Sequence, residues 1–407
     1  MKNVLIISPV CFHDKSGLAG EKTINYYFSR FSSDPDFDPA LVFTGDIYNN
    51  YYKMLEQYPR MNIFTAFKDK SIEQRIYDYS RFHWMYPLFK KIFPTYYITD
   101  GFLKERLRIC LKKIKSSGYK PDVIIVEMAH LIFQVETIKI FFPDSYIVAS
   151  CHDITSQSVE RFKIKRIMSK WYIAKFIEIE RRRLAEYNLI VVHNSKDKIL
   201  AKSLMHNLNK NIISINPFIS QIKYNSHSLK DGISFWGAMG RHENQEAVIW
   251  FLKNVWINLD QYYHGKLKFY IIGGGCTSRF KSLVDKYPNT IITGFVDDPS
   301  EHFSKAYAMI VPLHKGAGIK IKCLEAMLAG MPLITNTIGI EGINAIKDRD
   351  YLHAESENEF KEKVIECINS QELRDTLGKN AKLFIQQNFN LEESYQNYKK
   401  TLLSQVE

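Results

Sequence analysis

At 407 residues, with 45% hydrophobic and 24% charged residues, the chain has the composition of a soluble globular protein and room for two ordinary α/β domains, which excludes a single small domain. No uncharged apolar run reaches the roughly eighteen residues of a spanning helix. Charge is uneven: residues 1–230 hold 35 Lys and Arg against 22 Asp and Glu, whereas residues 231–407 hold 20 against 22, so the first half should face something anionic.

The N-terminus, Met1-Lys-Asn-Val-Leu-Ile-Ile-Ser-Pro9, is an apolar run cut short by proline and then by His13-Asp14-Lys15. That predicts a first β-strand, not a secretion signal, and a cytoplasmic protein. The cysteines Cys11, Cys110, Cys151, Cys276, Cys323 and Cys367 show neither a Cys-x-x-Cys pair nor zinc-type histidine spacing. No disulfide framework and no metal site are expected.

Apolar runs bounded by turns alternate with helical stretches, the pattern of parallel α/β folds. Strands are predicted at Asn3–Ser8, Ala40–Phe43, Asp122–Glu127, Ser145–Ser150 and Asn188–Val192, and in the second half at Ile233–Trp236, Lys268–Ile272, Thr290–Ile292, Ala308–Val311 and Leu333–Thr335. Between the halves, Asn211–Gly232 is rich in turn formers and predicts a hinge. The loop Pro9–Lys22 lacks Gly-x-Gly-x-x-Gly, which argues against a nicotinamide site. Strand-end positions make Glu127 and His152 candidate site residues, since ligands of parallel sheets sit at the carboxyl ends of strands.

Two stretches of the first half are basic and aromatic. Tyr77–Tyr97 carries Trp84, Tyr86, Phe89 and Phe93 with Lys90 and Lys91, and the next helix sets Leu103, Leu107, Leu111 and Ile114 on one face with cations on the others. That apolar face is expected to pack on the domain's own sheet. The aromatic cluster, with the cations of Arg161–Arg166 and Arg181–Arg183, supports a peripheral contact with anionic membrane.

Glycine-bearing turns follow the strands of the second half: Gly237-Ala-Met-Gly240-Arg241 and Gly273-Gly-Gly275. Glycines there allow a close approach of backbone to ligand. The most informative segment is Gly316-Ala-Gly318-Ile319-Lys320-Ile-Lys322-Cys-Leu324-Glu325-Ala-Met, closed by Gly330-Met-Pro332. A glycine loop opens a helix, free N–H groups and two lysines gather where a diphosphate would lie, and Glu325 follows about one turn later, placed for a ribose.

This segment, with Thr337-Ile-Gly339-Ile-Glu341-Gly342 after it, resembles the donor-binding motif of retaining glycosyltransferases of family 4, in the branch reading Gly-x-Gly-x-Arg/Lys-x-Lys-x-Leu-Glu-Ala-Met. The resemblance implies the GT-B fold: an α/β protein of two Rossmann-like domains facing a central cleft. Its boundaries would be 1–215 for an acceptor-binding domain, 216–390 for a nucleotide-sugar domain, and 391–407 for a last helix returning to the first.

By the same resemblance, Gly318, Ile319, Lys320, Lys322, Leu324 and Glu325 line the donor, Gly17 and Gly20 belong to a loop over the reacting sugar, and Gly237, Arg241, Gly273 and Gly275 complete the donor site. Gly294-Phe-Val296-Asp-Asp298 matches a loop whose backbone contacts the base, so Val296 joins them. His152, Lys320, Lys322 and Glu325 are the candidate catalytic groups; Glu127 and His152 are assigned to the acceptor. The chain departs from the family pattern in three places. The usual Arg and Lys of the first glycine turn fall on Ala238 and Glu243, with Lys320 and Lys322 moving the cations to the later helix. The earlier of two family glutamates falls on Ala317, so no base is assigned. Arg241 is read equally well as a phosphate contact or as a solvated loop residue.

The implied activity is transfer of a sugar from a nucleotide-diphosphate sugar to a glycan or lipid-linked acceptor, with retention, without cofactor or obligatory metal, in cell-surface polysaccharide synthesis such as capsule or lipopolysaccharide. Partners would be the nucleotide sugar, the acceptor and the inner face of the cytoplasmic membrane, not nucleic acid. The alternatives are a nucleotide-sugar epimerase of the same fold and a non-catalytic protein binding anionic lipid or nucleic acid through the basic half.

Overall fold

The computed structural model describes residues 1–45, 49–66, 101–161 and 168–406. They group into two compact units, Met1–Ser16 with Gly20–Ile215 and Glu393–Glu407 in one, and Gly17–Ala19 with Asn216–Glu392 in the other. The aromatic cluster at Trp84–Phe93 and most of the Arg161–Arg166 stretch lie outside the described residues.

In the first unit, β1 (Lys2–Ser8), β2 (Phe37–Phe43), β3 (Asn62–Thr65), β4 (Val123–Glu127), β5 (Tyr146–Cys151), β6 (Leu189–Val192) and β7 (Asn211–Ser214) form a sheet of order β3-β2-β1-β4-β5-β6-β7. Every described pairing is parallel. The alternation of side chains along a strand divides the core between two faces. Leu5, Ile7, Ile124 and Val126 pack into one cluster, and Val4, Ile6, Val123 and Ile125 into another. Burial on both faces is why these strands read as unbroken apolar runs.

The helix Gly101–Ser117 sends Leu107, Leu111 and Ile114 into the first cluster, so its apolar face covers the sheet. The helix Leu391–Val406 closes the other face. Its Tyr395, Tyr398 and Leu402 are buried with Phe31 and Phe37, Tyr395 Oη donates to Asp34 at 2.7 Å, and Lys399 Nζ donates to both Asp34 oxygens at 2.8 Å.

In the second unit, β8 (Gly232–Trp236), β9 (Lys268–Ile272), β10 (Thr290–Gly294), β11 (Ala306–Val311), β12 (Leu333–Thr335) and β13 (Leu352–His353) form a second sheet, β10-β9-β8-β11-β12-β13. All its described strand pairs are parallel too. The chain steps outward from β8 to β10 and then returns beside β8 with β11. The strand order therefore reverses between β8 and β11, where doubly wound sheets open a crevice at the strand carboxyl ends.

The structure corrects one feature of the expected hinge: Asn211–Ser214 is not a turn but the edge strand β7, paired with β6 from Leu189↔Asn211 to Val192↔Ser214. Being half exposed, it lacks the apolar run that marks the central strands.

Candidate active site

The crevice of the second unit is built on two interlocked glycine turns. After β8 the chain turns at Gly237 and enters the helix His242–Phe251; after β9 it turns at Gly273. Met239 N donates to Gly274 O at 2.7 Å, and Gly237 N to Ile272 O at 3.1 Å. A Cβ on Gly273, whose φ is +137°, would lie 1.9 Å from the Gly237 carbonyl oxygen. Only glycine fits that crossing.

Onto this floor comes the start of the helix Ile321–Ala329, whose N-cap position is Lys320, with no side-chain cap. Lys322 Nζ donates to Asn244 Oδ1 at 2.5 Å and stands 4.6 Å above the Phe235 ring. It reaches so close to Gly237 that a Cβ there would come within 2.9 Å of the ammonium. Burial, helped by the charges of Arg241 and Lys320, pushes the Lys322 ammonium down to about 7. Lys320 Nζ donates to Gly318 O at 2.6 Å and lies 3.8 Å from Glu341. The uncapped helix start, two lysines and the glycine floor form a cradle whose charge suits an anion.

Glu325 lies one turn further along, 5% exposed, and its Oε2 accepts the Trp236 Nε1–H at 2.8 Å. The residue expected to meet a ribose thus carries an indole partner at the end of β8. Arg241 is mostly exposed and pairs with Glu243 at 2.6 Å. Leu324 has its side chain fully buried in the core, so any ligand contact there falls to its backbone. Ile319 and Val296 are partly buried against the same core. Gly318 takes a left-handed φ of +68° just before the helix, and Gly275 one of +87°.

In the first unit, β4 and β5 bring Glu127 and His152 together, His152 Nε2 lying 3.0 Å from Glu127 Oε2. The His152 ring also lies 4.7 Å from that of His193, at the end of β6. Burial first, and His152 second, holds the His193 imidazole well below its usual range, so it is neutral. Gly20 borders the pair: a Cβ there would meet Met128 Cε at 3.2 Å and His152 Nδ1 at 3.4 Å. Gly17 groups with the second unit, apart from Gly20 in this division. Behind His152, the buried Glu180 accepts from Thr155 N at 2.8 Å and Ser156 N at 3.0 Å, capping the helix Thr155–Arg161.

Trp236, Asn244, Glu341 and His193 enter these two clusters without having been singled out as site residues from the sequence. Glu341 stood inside a motif that had been noticed. For Trp236 and Asn244 the signal lies in partners 89 and 78 residues away, which no local spacing shows.

The strand order of the two units is that of the GT-B fold, and solved structures of this class match the chain over nearly its full length. One is a point mutant of TarM of S. aureus in complex with Fondaparinux, alpha-GlcNAc-glycerol and UDP, at 12% identity and a TM-score of 0.67, covering 99% of this chain and 100% of that one. Residues 230–370 match the family model described as Glycosyl transferases group 1, and these residues hold the cradle. An uncharacterized glycosyltransferase of Methanocaldococcus jannaschii, MJ1069, is 30% identical over 184 residues, 41% of this chain and 44% of its own length. An uncharacterized 44.6 kDa protein in the cps region of Klebsiella pneumoniae is 26% identical over 216 residues, 50% of this chain and 55% of its own. The chain thus spans about half the length of the curated relatives it matches.

Proposed function

We propose that the protein is a glycosyltransferase that binds a nucleotide-diphosphate sugar in the crevice of its second unit and passes the sugar to a glycan or lipid-linked acceptor. The observation that carries this reading is Lys322, a half-buried ammonium hydrogen-bonded to Asn244 and set over Gly237, inside the region that matches the glycosyl transferase model. In this reading Lys320, Lys322 and the helix start hold the leaving diphosphate and meet its growing charge, while Glu325 holds the ribose. Glu127 and His152 face the acceptor. Retention and independence from metal are taken from the family 4 motif, and polysaccharide assembly from that motif together with the cps-region relative.

Work at the cytoplasmic face of a membrane belongs to the same proposal. It rests on the basic first half of the sequence; among the described residues no helix is long and apolar enough to cross a membrane.

The test compares binding of nucleoside diphosphates and of the matching nucleosides to the protein and to Lys320→Met and Lys322→Met. The reading expects both substitutions to weaken diphosphate binding far more than nucleoside binding, and sugar transfer to fall further still. Equal losses for both ligands would assign the lysines to folding, and failure of the unaltered protein to bind any nucleoside diphosphate would sink the proposal.

A further inference from the structure

Three helices of the first unit, Thr155–Arg161, Met168–Ala185 and Ser195–Leu204, enclose an open groove of about 460 Å³. That lies within the range of small-molecule sites, roughly 300–1,000 Å³. The second helix turns Phe176, Glu180 and Leu184 into the protein, and the third turns Asp197 and Ala201 inward. Ile177, Leu200 and Leu204 are left half-buried along the groove, with the buried Ile154 beside them. Leu200 and Leu204, four residues apart, form one stripe of their helix. Aliphatic lining of this kind favours hydrocarbon, which gains by leaving water and needs no hydrogen-bond pattern to be held.

The surroundings of the groove are cationic. The three helices carry nine Lys and Arg against four Asp and Glu. Two of the four acids are turned inward: Glu180 caps the helix Thr155–Arg161, and Asp197 accepts from Asn194 at 2.7 Å. The other two stay near the groove, Glu178 at 3.6 Å from Arg181 and Glu160 in the lining. Lys196 Nζ donates to Gln157 Oε1 at 2.7 Å, and Gln157 N to Ile154 O at 3.1 Å, which sets an ammonium at the Ile154 end. Ile154 is two residues beyond His152, at most about 7 Å along the chain. On the outer sides of the two longer helices, Trp171 and Ile199 are 64% and 68% exposed, with Lys175 5.0 Å above the Trp171 ring. Exposed indole and aliphatic side chains among lysines suit contact with anionic lipid.

We propose that this groove holds the hydrocarbon tail of a phosphate-bearing lipid, the lipid-linked acceptor, with its phosphate at Lys196 and its sugar-accepting end directed toward Glu127 and His152. The lipid groove stands on the lining and the charge; only the naming of its occupant as the acceptor rests on the glycosyltransferase reading. Tail and head are recognised separately, the tail by burial of apolar surface and the head by charge.

Calorimetry on the full chain tests it, with butyl, octyl and dodecyl phosphate below their micelle concentrations, inorganic phosphate, and UDP, GDP and ADP as probes. Affinity for the alkyl phosphates should rise with chain length, by up to roughly fourfold for each methylene the groove covers. Two variants act on the groove in different ways. Leu204→Asn removes part of its apolar lining, and Ser203→Trp fills it from an exposed position, where a larger side chain leaves folding intact. Each should weaken dodecyl phosphate roughly tenfold or more and leave nucleoside diphosphate affinity within about twofold. Lys196→Gln should weaken all three alkyl phosphates while keeping the gain per methylene. No gain with chain length, or dodecyl phosphate affinity unchanged in Ser203→Trp, overturns the groove and leaves the glycosyltransferase reading standing. Loss of binding to phosphatidylserine vesicles in Ser203→Trp, with alkyl phosphate affinity unchanged, also overturns it and gives this face to the bilayer. Alkyl phosphate binding without binding of any nucleoside diphosphate overturns the acceptor role and the glycosyltransferase reading together, and keeps only the lipid groove.

Discussion

Trp236 and Glu325 meet at 2.8 Å, indole N–H to carboxylate, across 89 residues of sequence. The bond ties the end of β8 to the middle of the helix Ile321–Ala329 and fixes one oxygen of a carboxylate that is 5% exposed. If the other oxygen serves a ribose, Glu325→Ala should weaken nucleoside diphosphate binding about tenfold or more, the worth of a charge-assisted hydrogen bond. Trp236→Phe should act differently. It leaves a buried acceptor short of its donor, and the expected cost is about 1–3 kcal/mol of folding stability. Calorimetry with UDP, GDP and ADP reads the first change and urea unfolding the second; a Glu325→Ala protein that binds every nucleotide as before would remove Glu325 from the site.

The central strands were legible because burial on both faces turns each into an apolar run, and the helix carrying Lys320, Lys322 and Glu325 because glycines bracket it. β3 and β7 were not: Asn62–Thr65 is four residues long with no fully buried position, and Asn211–Ser214 has one, so neither carries a periodic signal. The site divided in the same way. Groups that lie close in sequence, such as Lys322 and Glu325, could be read as a unit from helical spacing. The partners that define their geometry, Asn244 and Trp236, are brought in by the sheet from another βα turn. Arg241 was ambiguous because a cation after a glycine turn serves a ligand or a neighbouring carboxylate equally well, and the structure gives it Glu243.

The crossing of the two glycine turns predicts an asymmetry between glycines. Gly273→Ala places a Cβ 1.9 Å from a backbone oxygen that cannot move without shifting β8, at a φ of +137°. Gly20→Ala meets only the tip of Met128 and the edge of His152, at 3.2 and 3.4 Å. The first should cost about 3 kcal/mol or more and the second under about 1 kcal/mol. Thermal unfolding of the two variants decides, and equal midpoints would contradict the crossing.

The last helix is predicted to be indispensable to the first unit. Tyr395, Tyr398 and Leu402 are all at most 2% exposed, and Lys399 donates to Asp34 through two 2.8 Å hydrogen bonds. Truncation after Asn390 exposes the partners of these side chains, whose burial is worth about 1.5–3 kcal/mol each. The expected result is an aggregating or protease-sensitive first unit. Limited proteolysis checks this, and a truncated chain with full protease resistance would show the helix to be dispensable.

For membrane contact, the exposed Lys104, Lys112 and Lys115 on the helix Gly101–Ser117 are available, because its apolar face is already committed to the sheet. Docking would then be electrostatic, at about 1 kcal/mol per cation near an anionic surface, and would fade as salt shortens the screening length. Replacing all three by Gln should release the protein from phosphatidylserine vesicles in a sedimentation assay at low salt. Binding that ignores both salt and these three lysines would place the contact elsewhere.

The final prediction concerns the proton on Lys322. Its folded pKa is lowered from 10.5 to about 7 because burial disfavours the charge; Arg241 and Lys320 add to that, while Glu243 and Cys323 oppose it. Between pH 7 and 10.5 the unfolded chain therefore binds more protons at this group than the folded one, so the Lys322 contribution to stability rises with pH across that window. Diphosphate binding has the opposite sign. An anion beside Lys322 favours the ammonium, so binding should take up a proton above pH 7 and weaken as pH rises. Calorimetry of UDP, GDP or ADP at pH 8.5, in two buffers of different ionisation enthalpy, measures that uptake directly. The expected result is uptake approaching one proton in the unaltered protein and close to none in Lys322→Met. Proton uptake that persists in Lys322→Met would assign the titration to another group, and no uptake in the unaltered protein would mean that Lys322 does not meet the phosphates.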